Sequence, residues 1–279
     1  MDKVFNKGFV GLAILAVVIA AALLAPWIAP FDPNDQDVFS SLAAPLTRTG
    51  DGAIHMLGTD RLGQDILSRI IYGTRVSLIV AIGGVTSAAL IGVPLGLAAG
   101  FFGRVTESLV LAAADIVLSI PFVLLALVLM SVLGASLPNL IFAFAVVRWA
   151  QFARITYSLS LELREKEYVL TCKAAGISLL RTLVVHVLPN MAGPLMVVAT
   201  LELAYAILME AGLSFLGLGA PPETPSWGGM LQEGRNDLDV AWWLTTAPGV
   251  AIMLTVIGYN FIGDWIRDRL DPRLQGILR

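Results

Sequence analysis

The sequence predicts an all-α, polytopic membrane protein, and three observations predict it. Of its 279 residues, 57% are apolar and only 14% charged, whereas soluble domains run at about 45–50% apolar and about 25% charged. Mean hydropathy is +0.81. The Ala, Val, Ile and Leu residues are gathered into long runs, several of them near the roughly 20 residues that cross about 30 Å of hydrocarbon. A formal charge of −3 and a pI near 5.4 argue against a basic surface for nucleic acid, and the single Cys172 permits no intrachain disulfide.

Six apolar runs, at 8–30, 75–100, 105–133, 137–160, 189–213 and 241–263, are separated by charged or Pro/Gly-rich breaks and read as six spans. The first opens with Lys3 and Lys7 and meets no turn residue before Pro26. At about 18 apolar residues it is long for the core of a cleaved signal peptide and reads as a retained anchor. The second carries Gly92, Gly96 and Gly100, a small-residue face for close packing within the chain or against a partner. Pro94 and Pro121 are expected to bend their helices. The six Trp residues, 27, 149, 227, 242, 243 and 265, lie mostly near span ends, as interfacial anchors do.

Charge fixes the expected orientation. With the N-terminus inside, twelve of the 18 Lys and Arg residues fall on the cytoplasmic side: Lys3, Lys7, Arg104, Arg154, Arg164, Lys166, Lys173, Arg181, Arg267, Arg269, Arg273 and Arg279. Arg48, Arg61, Arg69, Arg75 and Arg235 fall outside, and Arg148 lies within a span. That asymmetry predicts N-in, C-in. One membrane domain, 1–279, is expected, with 1–74 as anchor and exterior loop and 75–279 as the core bundle. The exterior segments 31–74 and 214–240 hold Asp32, Asp35, Asp37, Asp51, Asp60, Asp65, Glu223, Glu233, Asp237 and Asp239, either a solvated loop surface or a docking surface. A short helix after Thr59 and Asp60 is expected to present Arg61, Gln64, Asp65 and Arg69 on a polar face, with Leu62, Ile66, Leu67, Ile70 and Ile71 against the bundle.

Between the fourth and fifth runs lies a stretch too polar to insert, read as a helical hairpin over about 164–188. Leu161, Tyr168, Cys172 and Ala175 share a face of its first arm. In the second, Leu179, Leu180, Leu183, Val184 and Val187 form an apolar stripe. Gly176 is placed where a helix ends in the left-handed conformation, and Pro189 opens the next span. Four ionisable residues sit inside spans, where each costs about 2.5–3.5 kcal/mol unless partnered or wet: Asp115, Arg148, Glu202 and Glu210. Similar depth from opposite faces makes Asp115–Arg148 a candidate pair, structural or on a translocation path. Glu202 is weighed as pore-facing, where its carboxylate would meet a cationic group, or as buried and hydrogen-bonded. His55, His186 and Cys172 have no metal-ligand spacing, so no metal site is expected.

The hairpin sequence, Glu-Tyr-Val-Leu-Thr-Cys-Lys-Ala-Ala-Gly and then Val-His-Val-Leu-Pro-Asn, resembles the cytoplasmic coupling loop of ABC importer permeases. Gly176, His186, Leu188 and Pro189 fall in register with that family's pattern, while its Glu-Ala-Ala positions are occupied by Leu170, Thr171 and Cys172. Residues 55–69 (His-Met-Leu-Gly-Thr-Asp-Arg-Leu-Gly-Gln-Asp-Ile-Leu-Ser-Arg), 213–228 (Leu-Ser-Phe-Leu-Gly-Leu-Gly-Ala-Pro-Pro-Glu-Thr-Pro-Ser-Trp-Gly) and 260–273 are similar to the C-type permeases of dipeptide, oligopeptide and nickel importers. Gln64 stands where those relatives usually carry Arg.

The resemblance implies a bacterial or archaeal inner-membrane subunit that forms half of a path for di- or oligopeptides. It implies a second permease, two ATP-binding subunits seated on Tyr168, Leu170–Cys172, Gly176, His186, Leu188 and Pro189, and an extracytoplasmic solute-binding protein docked near Asp60, Arg61, Gln64, Asp65 and Arg69. ATP and Mg would be held by the partner subunits and no cofactor by this chain: no Lys follows a Gly, so the chain has no phosphate-binding loop. The alternatives are nickel chelates or glutathione-like compounds as substrate, or a stand-alone proton-coupled carrier using Asp115, Glu202 and Glu210.

Overall fold

The computed structural model describes residues 2–50, 52–221 and 223–270, and the side chains of that range from Lys7 onward. Asp51, Arg273, Arg279, the Lys3 side chain and the end of the 260–273 motif lie outside it. The architecture is all-helical: α1 (Asp2–Ile28), α2 (Ile66–Phe101), α3 (Arg104–Ser119), α4 (Phe122–Leu133), α5 (Leu137–Leu163), α6 (Glu167–Ala174), α7 (Leu179–Thr182), α8 (Leu188–Phe215), α9 (Trp227–Gly234) and α10 (Trp243–Leu270). Among the described residues there is no strand, only two isolated bridges, Arg48 with Ile54 and Thr59 with Asp65.

Four helical stretches are long and apolar enough to cross a membrane: Lys7–Ile28, Ile66–Phe101, Leu179–Phe215 and Trp243–Leu270. The expected third span is broken. Its halves, α3 and α4, meet at 87° across Ile120 and Pro121 and make a fifth crossing only when taken together. Pro121, without an N–H and with a fixed φ, restarts the chain in a new direction. α5, the expected fourth span, is too polar to pass on composition, because Arg148, Gln151, Arg154, Ser158 and Glu162 interrupt its apolar run. The second span begins at Ile66 rather than near 75, capped by Asp65, whose carboxylate accepts from the Ser68 N–H (2.8 Å).

The bundle is built around the parallel pair α2 and α5. A Cβ on Gly92, Gly96 or Gly100 would lie 2.3, 2.4 or 2.3 Å from Trp149 O, Ala153 O and the Ser160 Cβ respectively. The three glycines therefore let two backbones touch within this chain, which answers the choice left open by their spacing. α1 and α10 run antiparallel, with Gly8 against Trp265 and Gly258 against Ile14 and Leu15. Pro26 in α1 has no N–H to return to the Ala22 carbonyl, and Arg75 of α2 fills the vacancy: its Nε donates to Ala22 O at 2.6 Å.

These pairings give the bundle two ends. One collects the N-terminus of α1, the C-termini of α2, α5 and α10, the hairpin and the start of α8. The other collects the loop from 29 to 65, α9 and the start of α10. Trp227 and Trp243 are buried at this second end and are not interfacial anchors: their Nε1–H groups donate to Ile70 O (3.0 Å) and Thr59 O (3.1 Å).

Candidate functional site

The hairpin forms as expected at its turn and differently in its second arm. Gly176 has φ +71°, with Ile177 N–H bonded to Cys172 O (3.0 Å) and Gly176 N–H to Lys173 O (3.2 Å), the pair of bonds that closes a left-handed helix end. The second arm is not a separate helix. α7 passes through one π turn, Leu183–Val187, straight into α8. The wide turn sits just before Pro189, whose missing N–H and ring disturb the ladder there, and Leu188 N–H reaches back to Leu183 O.

The apolar stripe is therefore divided. Leu183 and Val187 are buried with Val169 and Met191 against Leu97, Phe101, Leu159 and Leu163, whereas Leu179, Leu180, Val184 and Val185 are exposed. On the first arm Val169 and Cys172 point inward, Tyr168 is half-buried, and Leu170, Thr171 and Ala175 face out. The Tyr168 hydroxyl is buried without a hydrogen-bond partner among the described residues, and burial raises its pKa. His186 and Leu188 are half-buried and Pro189 exposed. A cavity of about 470 Å³ lies between the hairpin and the end of α2, bounded by Phe101, Arg164, Val169, Lys173 and Leu179 among others.

The intramembrane charges pair differently from the expectation. Arg148 does not meet Asp115. It grips Glu202 with two hydrogen bonds, Nε to Oε2 at 2.7 Å and Nη2 to Oε1, and its guanidinium lies over the Tyr205 ring at 4.5 Å. Asp115 pairs with Arg154, six residues further along α5. Matched depth was the wrong discriminator, because the rotation of each helix decides which neighbour is within reach. Glu210 is buried and accepts from Ser77 Oγ (3.0 Å) and Ser214 Oγ (2.7 Å). Tyr205 packs in turn with Phe122 and Phe144, Phe122 edge-on to both others and Phe144 tilted against Tyr205, with centroids 5.8–6.5 Å apart.

The expected exterior helix after Asp60 is absent. Residues 58–65 form tight turns, and Asp60, Gln64, Asp65 and Arg69 are buried rather than displayed. Asp60 Oδ1 accepts from the N–H groups of Leu62 (2.8 Å) and Gln64 (2.9 Å), and its other oxygen binds Arg69 Nη1. Arg69 also forks onto Glu233 of α9 (2.7 and 3.2 Å). Burial raises the Asp60 pKa against the opposing pull of Arg69 and the two N–H groups. Asp65 holds His55 Nδ1 (2.9 Å) and Ser68, whose Oγ takes the Phe31 N–H (3.1 Å).

Of the five residues expected at this surface only Arg61 is exposed. It forks onto Asp237 at 2.5 and 2.6 Å, which depresses the Asp237 pKa. Leu62, expected against the bundle, is exposed too.

Residues 92–276 match the family of binding-protein-dependent transport system inner-membrane components, and residues 7–45 match the N-terminal transmembrane domain of oligopeptide transport permease C. The chain belongs to the first of these families. It is 41% identical over 271 residues to the di/tripeptide transport system permease protein of Pseudomonas aeruginosa (97% of this chain, 89% of that one). The dipeptide transport system permease proteins of Haemophilus influenzae and Escherichia coli K12 are also 41% identical, over 92% and 90% of their lengths.

The permease is thus a multi-pass inner-membrane protein. Sequence reasoning missed the His55–Asp65 contact, the Asp60–Arg69–Glu233 triad and the Arg61–Asp237 fork. Glu233 and Asp237 lie 164 and 176 residues from their arginines, and no local spacing signals partners so distant. For Arg148 a signal was present: Glu202 and Tyr205 are three residues apart and share a face of α8.

Proposed function

We propose that the permease is one of two membrane-spanning subunits of an ATP-driven importer of dipeptides and other short peptides. The observation that carries this reading is the 41% identity to peptide permeases over 97% of the chain. In this reading the chain passes the membrane six times, with α3 and α4 together as the third pass and α5, polar as it is, as the fourth, and both termini lie inside. The collection of Lys7, Arg104, Arg164, Lys166, Lys173, Arg181, Arg267 and Arg269 at the hairpin end supports that orientation.

Each ATP-binding subunit is held by a permease hairpin, here through exposed Leu170, Leu179, Leu180 and Val184 around the Gly176 turn. Closure of the ATPase pair, which carries ATP and Mg, moves the hairpin as a body, and α8 transmits the movement without an intervening joint because α7 runs into it. The binding protein docks on the opposite end. There the proposal shifts from the buried Asp60, Gln64, Asp65 and Arg69 to the exposed Arg61 and to Val38, Phe39 and Leu46, large apolar side chains open to solvent. The pairing of each intramembrane charge with its neighbour favours a structural role for Glu210 and leaves Asp115, Arg148 and Glu202 as candidates on the path.

Reconstitution with the second permease, the ATP-binding subunits and the binding protein tests this. ATP-dependent accumulation of a labelled dipeptide is the expected result. Accumulation of a nickel chelate with no dipeptide uptake would overturn the substrate assignment, and uptake driven by a proton gradient without ATP would overturn the class.

A further inference from the structure

Arg148, Gln151, Arg154, Ser158 and Glu162 fall within a sector of about 120° when α5 is unrolled at 3.6 residues per turn. The opposite side of the helix, Phe152, Ala153, Thr156 and Ser160, is buried, and Ala153, Thr156 and Ser160 meet the glycine face of α2. The polar sector is open. Arg154, Ser158 and Glu162 are exposed, and Gln151 and Arg148 are half-buried. Arg154 and its partner Asp115 have side chains 50% and 57% exposed, although Arg154 lies nine residues before the end of α5 and Asp115 eleven after the start of α3, about 14 and 16 Å in at ~1.5 Å per residue.

An ion pair so exposed at that depth cannot rest against lipid, where each charge is costly even with a partner nearby. The stripe ends at Arg148, where Glu202 and the Tyr205 ring cover the guanidinium and the Phe122–Phe144 cluster continues as an apolar wall. A stripe polar at each turn, open at the basic end and stoppered at the aromatic cluster, suits water better than a protein neighbour, since interface cores are depleted of charge.

We propose that this sector of α5, with Asp115 of α3, is the wall of a water-filled half-channel leading from the Arg148–Glu202 pair to the hairpin end, along which the released substrate leaves. Its chemistry fits a zwitterion: Arg154 offers a cation to a carboxylate, Asp115 an anion to an ammonium group, and Gln151 and Ser158 neutral hydrogen bonds between them. The inference rests on the importer reading and adds to it the face that carries the cargo.

Single cysteines at Gln151 and Ser158, read against the parent chain whose Cys172 is buried, test it in the reconstituted complex, with Val17→Cys on the exposed apolar face of α1 as the lipid-facing control. A charged, membrane-impermeant methanethiosulfonate supplied from the hairpin side is expected to modify Gln151→Cys and Ser158→Cys at least tenfold faster than Val17→Cys. The adduct at Ser158→Cys is expected to lower ATP-driven dipeptide uptake at least tenfold. Two results would overturn the proposal: both cysteines no more reactive than Val17→Cys, or an adduct at Ser158→Cys that leaves uptake unchanged. Efficient disulfide capture of Ser158→Cys by cysteines on the second permease would also overturn it, by making the sector an interface. Uptake by the unmodified Ser158→Cys complex is measured beside these, so failure of the half-channel is distinguishable from failure of the importer assignment.

Discussion

The two ends of the bundle handle charge in opposite ways. At the loop end, Asp60, Asp65 and Arg69 are buried in one cluster, and the Arg69–Glu233 and Trp243–Thr59 bonds join residues 164 and 184 positions apart, so that the 29–65 loop, α2, α9 and α10 share one network. At the hairpin end the ion pairs Lys166–Glu162 (3.1 Å) and Arg164–Glu165 (3.9 Å) are local and exposed, and apart from the Arg164 bond to Gly100 O (3.2 Å) the attachment is chiefly apolar, through Val169, Leu183, Val187 and Met191. A buried polar network has strict geometry and resists displacement. A non-directional apolar joint tolerates small slides and rotations. The comparison teaches that the loop end is held by directional contacts between distant segments and the hairpin end chiefly by non-directional apolar ones.

Breaking the loop-end network should give the largest effect. Arg69→Met leaves Asp60 buried and without its cation, a loss on the order of 3–5 kcal/mol for a broken buried pair. The Glu233 side of the fork is half-exposed and contributes less. Thermal unfolding of the purified complex should show a large drop in midpoint; an unchanged midpoint would mean that the network does not hold this end.

Next is the shared core of both ends. Gly96→Leu drives a side chain into Ala153 O, 2.4 Å from the position of a Cβ. Overpacking of this kind costs roughly 1–3 kcal/mol, and reduced yield of assembled complex is the readout.

At the hairpin, Gly176→Val meets open space but must hold φ +71°, a strain of about 1–2 kcal/mol for a residue with a Cβ. We expect assembly to survive while uptake per ATP hydrolysed falls. Normal coupling in an assembled Gly176→Val complex would remove the turn from the lever.

Leu180→Asp sharpens the same contrast. Leu180 is 73% exposed, so the isolated permease should lose no more than about 0.5 kcal/mol, while co-purification of the ATP-binding subunit drops. Equal recovery of that subunit would place its contact elsewhere.

The smallest effect belongs to the Arg61–Asp237 fork. Because the folded pKa of Asp237 is depressed, the pair stabilises the fold above the ordinary carboxylate range and is lost as pH falls through the depressed value. Asp60, with a raised pKa, acts with the opposite sign: its contribution is most favourable at low pH and declines as pH rises through the range between its ordinary and raised values. Arg61→Ala should therefore lower stability slightly at neutral pH, leave it unchanged below the depressed Asp237 value, and so flatten part of the acid limb of a stability-against-pH curve. An identical acid limb in the variant would show the fork to be energetically idle.

Much of this was legible in the sequence. Apolar runs, the turn at Gly176 and the glycine face of α2 depend on local chemistry: hydrophobic length, the absence of a Cβ at positive φ, and spacing on one helix. The turn between α6 and α7 was legible even with Leu170, Thr171 and Cys172 before it, because its geometry lies in Gly176. The break at Pro121 was half legible, since a proline signals a bend without giving its angle.

What the sequence determined alone is the medium and the units: an apolar chain cannot leave its backbone groups unpaired in lipid, so it must form helices there, and a polar stretch between two such helices must stay outside. What only the tertiary structure decided is which charge meets which. Arg148 chose Glu202 over Asp115, Asp60 and Asp65 turned inward instead of facing a partner, and Trp227 and Trp243 became buried donors. An ion pair requires two side chains within a few ångströms, a condition set by the rotation and crossing of whole helices rather than by the residues beside each charge in the chain.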